Sequence, residues 1–494
     1  MYPTPIGRSR QMSNMSRGRN SRNWRRDNQR LSRALSQEIL TPKRRLLKMI
    51  VSNLQPLEIT EHTDFQCFVE TLKPAVQIPA SPRMSSLLLS VFQEQETELR
   101  GVLNSVDDIV LTCELWSSRR EESYLTVGCH FVDTRGKLKS YMLKTTSLFA
   151  DTSAANVKNQ LTDVMDAWGV REKVHTVIRA GIPQLKDIKS KWTHIPCFAD
   201  TLNVVFKDLR SDDELSNVLR KCQNIIRFFK HNSEADRRFR ELQHQLALNQ
   251  DELIMNSGDQ WLTWLHMLER LQQQYRAMVM VLDDRGRSDL ILNENDKKKQ
   301  KNLISALKPL EEATSKMKTQ GFESISNILP LLKTLMNKLG EESKNNEVAQ
   351  KLLTKCKKEF GDVDNHRLAP ITFLDPRFKR DLGQLNTSQA KTEITTGVTA
   401  QGAISSSIRG ALSRYMSYEP AEGNSNPLAW WRLIGNDKFG ELSRFALKKL
   451  GVVSTAVPLD RAFSSAGDRF CSLRNSIEPE NLNMVLFLNS NWSA

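Results

Sequence analysis

The stretch that decides the fold stands at the C-terminal end, "NPLAWWRLIGNDKFGELSRFALKKLGVVSTAVPLDRAFSSAGDRFCSLRNSIEPENLNMVLFLNSNW", residues 426–492. It opens on a tryptophan pair, Trp430 and Trp431, and ends on one of the most apolar runs of a polar chain. In its middle lies an acidic residue, Asp460. Apolar side chains of this density must be covered either by the chain's own core or by a partner. We therefore expect both core packing and subunit contact from this segment, and the sequence leaves their shares open.

The composition indicates a folded protein of several domains. The chain has 494 residues, of which 39% are apolar and 26% charged, and no apolar run is long enough to span a membrane. No signal-peptide pattern opens it. Its seven cysteines are scattered, without the spacing of a zinc finger or of a disulfide framework. We expect reduced thiols inside a cell, no membrane association, no metal and no cofactor.

The positive charge is concentrated in a basic arm, residues 1–45, which carries 12 Lys and Arg against 2 Asp and Glu, a net charge of +10 out of +14. Such an arm suits phosphate contacts or nuclear import, and a solvated tail without a partner is the alternative. We expect the arm to be disordered. The candidate DNA-binding residues are Arg17, Arg19, Arg22, Arg25, Arg26, Lys43, Arg44 and Arg45.

Hydrophobic periodicity divides the rest of the chain. Residues 46–105 are predicted to be helical. Within 106–205, the pattern predicts three strands in a meander, an amphipathic helix and a fourth strand, which is typical of a mixed α/β sheet. Residues 206–425 are predicted to be helical, with a loop at the "KKKQK" run near Lys297 and a mobile Ser/Thr-rich linker at about 384–407. The last unit is 426–494.

The residues 426–492 resemble, almost position by position, the C-terminal dimerisation region of hAT-superfamily transposases. Other segments agree with this resemblance: "LTCELWSS" at Leu111, "CFADTLNVV" at Cys197, "DQWLTWLHMLERL" at Asp259 and "FLDPRFK" at Phe373. In style the chain is similar to the domesticated zinc finger BED domain-containing proteins, although it shows no BED finger. The resemblance implies an α/β plus all-α protein, in which an RNase H-like domain is interrupted by a large helical insertion and completed by the dimerisation region.

In active family members, three carboxylates hold two divalent metals for DNA cleavage and transfer. The resemblance places these positions at Glu114, Arg179 and Asp460. All three have changed, and a guanidinium at Arg179 cannot bind a cation. The family's Cys-x-x-His motif ends here in Asp200. We expect a catalytically inactive protein in which Arg179 bridges Glu114 and Asp460, replacing the metals; the alternative is that these three groups have drifted and solvate independently.

The resemblance also implies self-association, as a homodimer or a higher oligomer, and possible association with related hAT-derived proteins. The candidate dimerisation residues are Trp430, Trp431, Leu459, Phe463, Leu482, Leu486 and Leu488. The expected function is that of a nuclear binding or regulatory protein on DNA or chromatin. Two alternatives stay open: an active metal-dependent transposase or nuclease, and a SUMO-ligase-like role as in some BED relatives. No motif in the sequence supports the SUMO-ligase-like role.

Overall fold

The fold is that of a computed structural model. It describes residues 41–72, 77–118, 121–149, 151–182, 185, 190–256, 258, 260–320, 324–363, 366–382, 384–399, 405–458 and 465–492. The chain divides into two compact units, Met1–Val91 and Phe92–Ala494.

The first unit contains short helices. α1 is Pro42–Ser52, a 3₁₀ turn is Leu57–Glu61, and α2 is Thr63–Leu72. The hydroxyl of Thr41 accepts from the Arg44 N–H, and a proline occupies the first helical turn, so both helix-start signals are present. The expectation of disorder through residue 45 is therefore wrong at its end. Lys43, Arg44 and Arg45 lie in the first turn of α1, whereas the candidate DNA-binding arginines 17 to 26 lie outside the described residues.

The second unit is built on a five-stranded sheet whose strand order is β3-β2-β1-β4-β5. β1 pairs antiparallel with β2, and β2 with β3, while β4 runs parallel to β1 and to β5. The predicted meander, helix and fourth strand are thus confirmed, and the short β5 is an addition. The bounds are Ile109–Ser117 for β1, Ser123–Val132 for β2, Leu138–Phe149 for β3, Val174–Ala180 for β4 and Thr193–Pro196 for β5.

Helices precede, cross and follow the sheet, which confirms the α/β plus all-α class. No helix in the described ranges combines the length and apolarity needed to cross a membrane. Before β5 the helices are α3 (Ser81–Asn104) and α4 (Ala154–Ala167). The helical block after β5 consists of α5 (Phe198–Arg210), α6 (Asp213–His231), α7 (Ser233–Gln245), α8 (Trp261–Asp284), α9 (Glu294–Gln320), α10 (Ile328–Glu342), α11 (Glu347–Phe360), α12 (Ala369–Leu374), α13 (Gln384–Thr399) and α14 (Ser405–Ser417).

The loop expected near Lys297 is wrong, because α9 runs through the lysine cluster. Asp296, Gln300 and Leu303 are buried at helical spacing, so one face of this polar stretch packs inward. Lys297 remains on the outside and pairs with Glu294 at 2.8 Å. The loop was predicted from the number of lysines in this run, and that number gives no indication of a buried face.

The mobile linker expected at 384–407 is also wrong over its described part. α13 fills residues 384–399, and α14 begins at Ser405. Ala390, Ile394 and Val398 recur every four residues and are buried on one side of α13. Small residues allow this helix to approach the core closely: an added Cβ at Gly397 would lie only 2.9 Å from the ring of Phe445. The linker was predicted from the Ser/Thr content, which reflects only the outer face of α13.

The chain ends in the segment that resembles the dimerisation region. Its elements are α15 (Pro427–Trp430), a π-helical turn (Trp431–Gly435), α16 (Asn436–Phe439), α17 (Glu441–Leu450), α18 (Ser465–Arg474) and α19 (Pro479–Asn491).

The tryptophan pair of this segment is core. Trp431 is fully buried, its indole N–H donates to the Leu374 carbonyl at 2.6 Å, and its ring lies 4.9 Å from that of Tyr415. Trp430 is also buried and stacks on Phe439. A second copy that docks on the finished fold cannot reach these rings. Their assignment as dimer contacts is corrected to core packing, unless subunits exchange this segment.

The last helix, α19, covers the edge strand β3. Asn491 accepts from the Met142 N–H at 2.9 Å and donates to its carbonyl at 2.7 Å, and Asn483 accepts from the Thr145 N–H at 2.8 Å. These side chains satisfy backbone groups that an edge strand leaves open. The candidate dimerisation leucines of α19 are buried in the same packing, namely Leu482, Leu486 and Leu488. Leu459 and Phe463 lie outside the described residues.

Candidate functional site

The candidate site begins with Glu114, near the carboxyl end of β1. Its carboxylate forms an ion pair with Arg474 of α18, with 3.2 Å between Oε1 and Nη1. The guanidinium of Arg474 also lies 3.7 Å from the centre of the Trp116 ring, as in a cation–π contact. Both charged side chains are largely buried, with exposures of 18% for Glu114 and 7% for Arg474. Arg474 thus neutralises the carboxylate at the position that the resemblance assigns to the first metal ligand.

The register of β1 and β4 decides which residue stands beside Glu114. Glu114 is paired with Ala180, whereas Arg179 is paired with Cys113. Register partners point to the same face of a sheet and neighbours along a strand alternate. Ala180 therefore shares the face of Glu114, and Arg179 belongs to the opposite face. The expected bridge from Arg179 to Glu114 is corrected on this ground.

Arg179 has other surroundings. Its Nη1 donates to the Ile182 carbonyl at 3.1 Å, and it lines a cleft together with Lys207 and Arg367 of the helical block. Asp460, the third position, lies outside the described residues. Any contact of Asp460 with Arg179 or Glu114 therefore stays a prediction.

A second carboxylate, Asp200 in the first turn of α5, approaches Glu114 from the end of β4. Its Oδ2 accepts from the Gly181 N–H at 2.9 Å. Burial raises the pKa of Asp200 above its ordinary value, and the charge of Glu114 adds to this, while the Gly181 hydrogen bond and Arg179 act against it. Gly181 has φ +72°, and an added Cβ would meet the Leu115 carbonyl at 2.7 Å, so this turn requires glycine.

Glu114 and Asp200 line one cavity of about 140 Å³, together with Asn203 and Gln260. Hard divalent cations require several anionic oxygens at fixed geometry. Here one carboxylate is already held by an arginine, and the β4 position on the same face is the methyl group of Ala180. In the part of the chain that the structure describes, no group of three or more acidic, His or Cys side chains forms a metal site. The described residues of this site, which do not include Asp460, do not fit a two-metal centre.

The segment "FLDPRFK" forms a second charged cluster, inside the helical block. Arg377 holds Asp375 through two hydrogen bonds, of 2.9 Å from Nε and 2.6 Å from Nη2. Ser326 and Asn327 complete the cluster, at 2.7 Å from Asp375 and 2.9 Å from Arg377. Both charged side chains are 0% exposed. This motif therefore joins α12 to the turn before α10 and is structural.

Sequence reasoning missed Arg474, and it expected Arg179 rather than Ala180 beside Glu114. The partner of Glu114 is 360 positions away, and nothing in "CSLRNSI" distinguishes its arginine from a solvated one. Ala180 had a usable signal, because strand alternation and the register with β1 point to it once the pairing is known. Asp200 was noted in the sequence as a replaced histidine, but its approach to Glu114 was not.

Comparison with known proteins agrees with this geometry. Three family models match: the ZBED1 RNase-like domain over residues 112–184, the ZBED1 RNase-like helical domain over 195–306, and the hAT family C-terminal dimerisation region over 411–492. None of them is a BED finger. The class is thus an RNase-like domain with a helical insertion and a dimerisation region.

Individual proteins that are similar to this chain specify the family further. The chain is 23% identical over 506 residues to zinc finger BED domain-containing protein 4 of Homo sapiens, covering 90% of this chain and 43% of the relative. It is 24% identical over 371 residues to RICESLEEPER 3 of Oryza sativa subsp. japonica, covering 70% and 49%. A putative AC transposase of Zea mays is 21% identical over 364 residues, covering 67% and 44%. The chain belongs to the hAT transposase-derived, BED-protein-like family, and spans about half the length of these relatives.

Proposed function

We propose that this chain is a catalytically inactive descendant of a hAT transposase that self-associates and acts in the nucleus as a DNA- or chromatin-associated regulatory protein. One observation carries the proposal of inactivity. The carboxylate of Glu114 is held by Arg474, and the β4 residue on the same face is Ala180, which has no ligand atom. Contacts such as the Asp375–Arg377 pair and the α19 asparagines hold the scaffold together, whereas the described residues form no metal-binding group.

The test of inactivity is a nicking assay on supercoiled plasmid DNA with Mg²⁺, Mn²⁺ or EDTA. The parent chain and Glu114→Gln should give the same background in all three conditions. Glu114→Gln is the matched control, since it removes only the charge of the first position. Metal-dependent nicking by the parent that Glu114→Gln abolishes would establish an active enzyme and overturn the proposal.

Self-association is supported by the match to the hAT dimerisation region. Since the predicted contact residues in its described part are buried, a different surface has to serve. In the described part of that region, Leu433 of the π-helical turn is a large apolar side chain that is 76% exposed. We propose that a second copy covers it, and hetero-association with related hAT-derived chains would use the same surface.

Light scattering after size-exclusion chromatography tests this surface. Leu433→Asp should lower the fraction of dimers or larger assemblies, because a buried charge at an interface is costly. Met280→Asp is the matched control, an exposed apolar residue on α8 outside the dimerisation region. Equal assembly by both variants and the parent would exclude the Leu433 surface, and a parent that is monomeric at all concentrations would exclude self-association.

DNA contact is proposed for the basic arm, since residues 1–45 carry a net charge of +10. Phosphate contacts of this kind give steeply salt-dependent affinity without sequence preference. Deleting residues 1–40 leaves α1 intact and should remove most of the binding at low salt. Unchanged affinity after this deletion would place the DNA contact on the folded body.

A further inference from the structure

A cavity of about 260 Å³ lies between the sheet and the C-terminal segment. Its floor is the face of β1 to β3 that carries Thr112 and Gly128, and its walls come from Pro458, Phe470 and Leu486. Most of this lining is apolar. A space of this size, with a few polar groups among apolar walls, has the character of a small-molecule site.

Gly128 marks the floor of this cavity. It lies inside β2, where glycine is unfavourable, and the pairing of β2 with β3 shifts register between Val127 and Gly128. A Cβ on it would meet the hydroxyl of Thr112 at 2.6 Å. Glycine at a bulge within a strand is typical of a place where another group approaches the backbone closely. The sheet is therefore left without a side chain at the point where the cavity opens.

Arg474 supplies a donor that the fold does not use. The side chain lines the cavity and is 93% buried, since its exposure is 7%. Its Nη1 donates to Glu114, but its Nε is buried and has no hydrogen-bond partner. A buried donor without an acceptor is unfavourable relative to a satisfied one. The positively charged guanidinium as a whole lines the cavity, and a carbonyl-type acceptor of a bound molecule would form a charge-assisted hydrogen bond with it.

The charges around the cavity cancel. Glu114 and Arg474 neutralise each other, so neither attracts an ion strongly. Burial lowers the pKa of His130 to about 4, which leaves its ring neutral near pH 7. Its nitrogens are engaged with Thr112 at 3.1 Å and Ser140 at 2.8 Å. A charged ligand would lose its hydration here without gaining an opposite charge.

We propose that this cavity is a binding site for an uncharged, mainly apolar small organic molecule that presents a carbonyl-type acceptor to the guanidinium of Arg474. The acceptor fixes the orientation of the molecule, and the apolar part covers Leu486 and the walls from the C-terminal segment. The site is independent of the proposed function, because it requires neither self-association nor DNA. Since α18 and α19 line it, the ligand stabilises the docking of these helices on the sheet.

Ligand-observed saturation-transfer NMR of the full chain tests the site, with benzamide as the probe. Benzoate and benzylamine are its charged counterparts of nearly equal size. Benzamide should bind in the millimolar range and the two ions at least about tenfold more weakly, a difference of about 1.4 kcal/mol. Benzoate or benzylamine binding as tightly as benzamide would overturn the proposal, as would the absence of any benzamide signal at millimolar concentration.

Two variants locate the binding. Ser490→Tyr places a ring at the rim of the cavity and should weaken benzamide binding at least about tenfold. The matched control is Ser476→Tyr, an exposed serine of the turn before α19 that does not line the cavity, and it should bind as the parent does. Arg474→Lys keeps the charge facing Glu114 but lacks the Nε–H, and it should also bind more weakly. Equal affinity of Ser490→Tyr and Ser476→Tyr would show that benzamide binds elsewhere.

Discussion

The molecule contains two arginine–carboxylate pairs in opposite settings. Arg377 grips Asp375 through two nitrogens, and further hydrogen bonds from Ser326 and to Asn327 complete a cluster with no exposure. Arg474 meets Glu114 through one contact of 3.2 Å at the border of two cavities, with one nitrogen unused.

The difference between the pairs reflects what each does. A fully buried pair is tolerated only when its remaining polar atoms have partners, and it then fixes the elements that carry them. The Asp375–Arg377 pair comes nearer to this condition, because Ser326 and Asn327 add hydrogen bonds that hold α12 to the turn before α10. The Glu114 pair lies at the position that the resemblance assigns to the first metal ligand, and Arg474 serves there as the counter-ion of Glu114. The first should therefore resist change and the second should tolerate it.

The largest effect is expected from Arg377→Gln. Removing the guanidinium leaves Asp375 charged and buried, which should lower the free energy of unfolding by about 3–5 kcal/mol. Urea denaturation followed by tryptophan fluorescence measures it, because Trp431 packs near this cluster. The double variant Asp375→Asn/Arg377→Gln should recover part of the loss. A loss no greater than that of Arg474→Gln would contradict the difference drawn between the two pairs.

A smaller effect is expected from Arg474→Gln. The loss of one charged hydrogen bond and of the Trp116 contact should lower the free energy of unfolding by about 1–2 kcal/mol. A double-mutant cycle with Glu114→Gln isolates the pair and should give a coupling of about 1 kcal/mol. Coupling close to zero would mean that the ion pair does not hold α18 to β1.

Asp200→Asn should stabilise the protein slightly at neutral pH. Burial raises the folded-state pKa of Asp200, so the carboxyl binds its proton more tightly when folded. Its ionised form therefore destabilises the fold as pH rises through that raised pKa. An asparagine oxygen can still accept from Gly181. Melting temperatures at pH 7.5 and at pH 4 should show a gain at the higher pH that shrinks at the lower; a loss at pH 7.5 would mean that the carboxylate is net favourable.

The smallest effect is expected from Arg287→Ala, which calibrates the series. Arg287 and Asp289 form a pair with two short contacts, of 2.7 and 2.8 Å, but both side chains are well exposed. Water screens such a pair, so geometry alone should not stabilise the fold. The melting temperature should equal that of the parent within error. A clear decrease would indicate that the two buried pairs differ in their contribution to stability because of contact geometry and not because of burial.

Local pattern was sufficient for the sheet and most helices. Strand alternation in β1 to β4 and the stripe in α4 follow from side chains that must face one core. The local pattern did not predict α9 and α13. In these helices Asp296, Gln300 and Ala390 are buried although their neighbours are Lys, Ser or Thr. In both helices the buried face is narrow, so the polar residues of the outer face determined the prediction.

The site was predictable only in part. The motif residues located Glu114 on β1 and indicated that the metal ligands were lost. The β4 residue beside Glu114 is Ala180 and not Arg179, because the face on which a side chain lies depends on the register between strands and not on the strand's own sequence. The tryptophans were interpreted as contact residues because an apolar segment looks the same whether its own chain or a second one covers it.

The sequence by itself determined the family, the order of sheet and helices and the basic arm, and it predicted the loss of the catalytic carboxylates. These properties reside in residue identity and local periodicity, which need no knowledge of distant contacts. Only the tertiary structure decided that Arg474 neutralises Glu114, that Ala180 stands beside it, and that Asn483 and Asn491 cover the edge of β3. Each of these joins segments far apart in the chain, and its free energy depends on burial and register, quantities that exist only once the chain has folded.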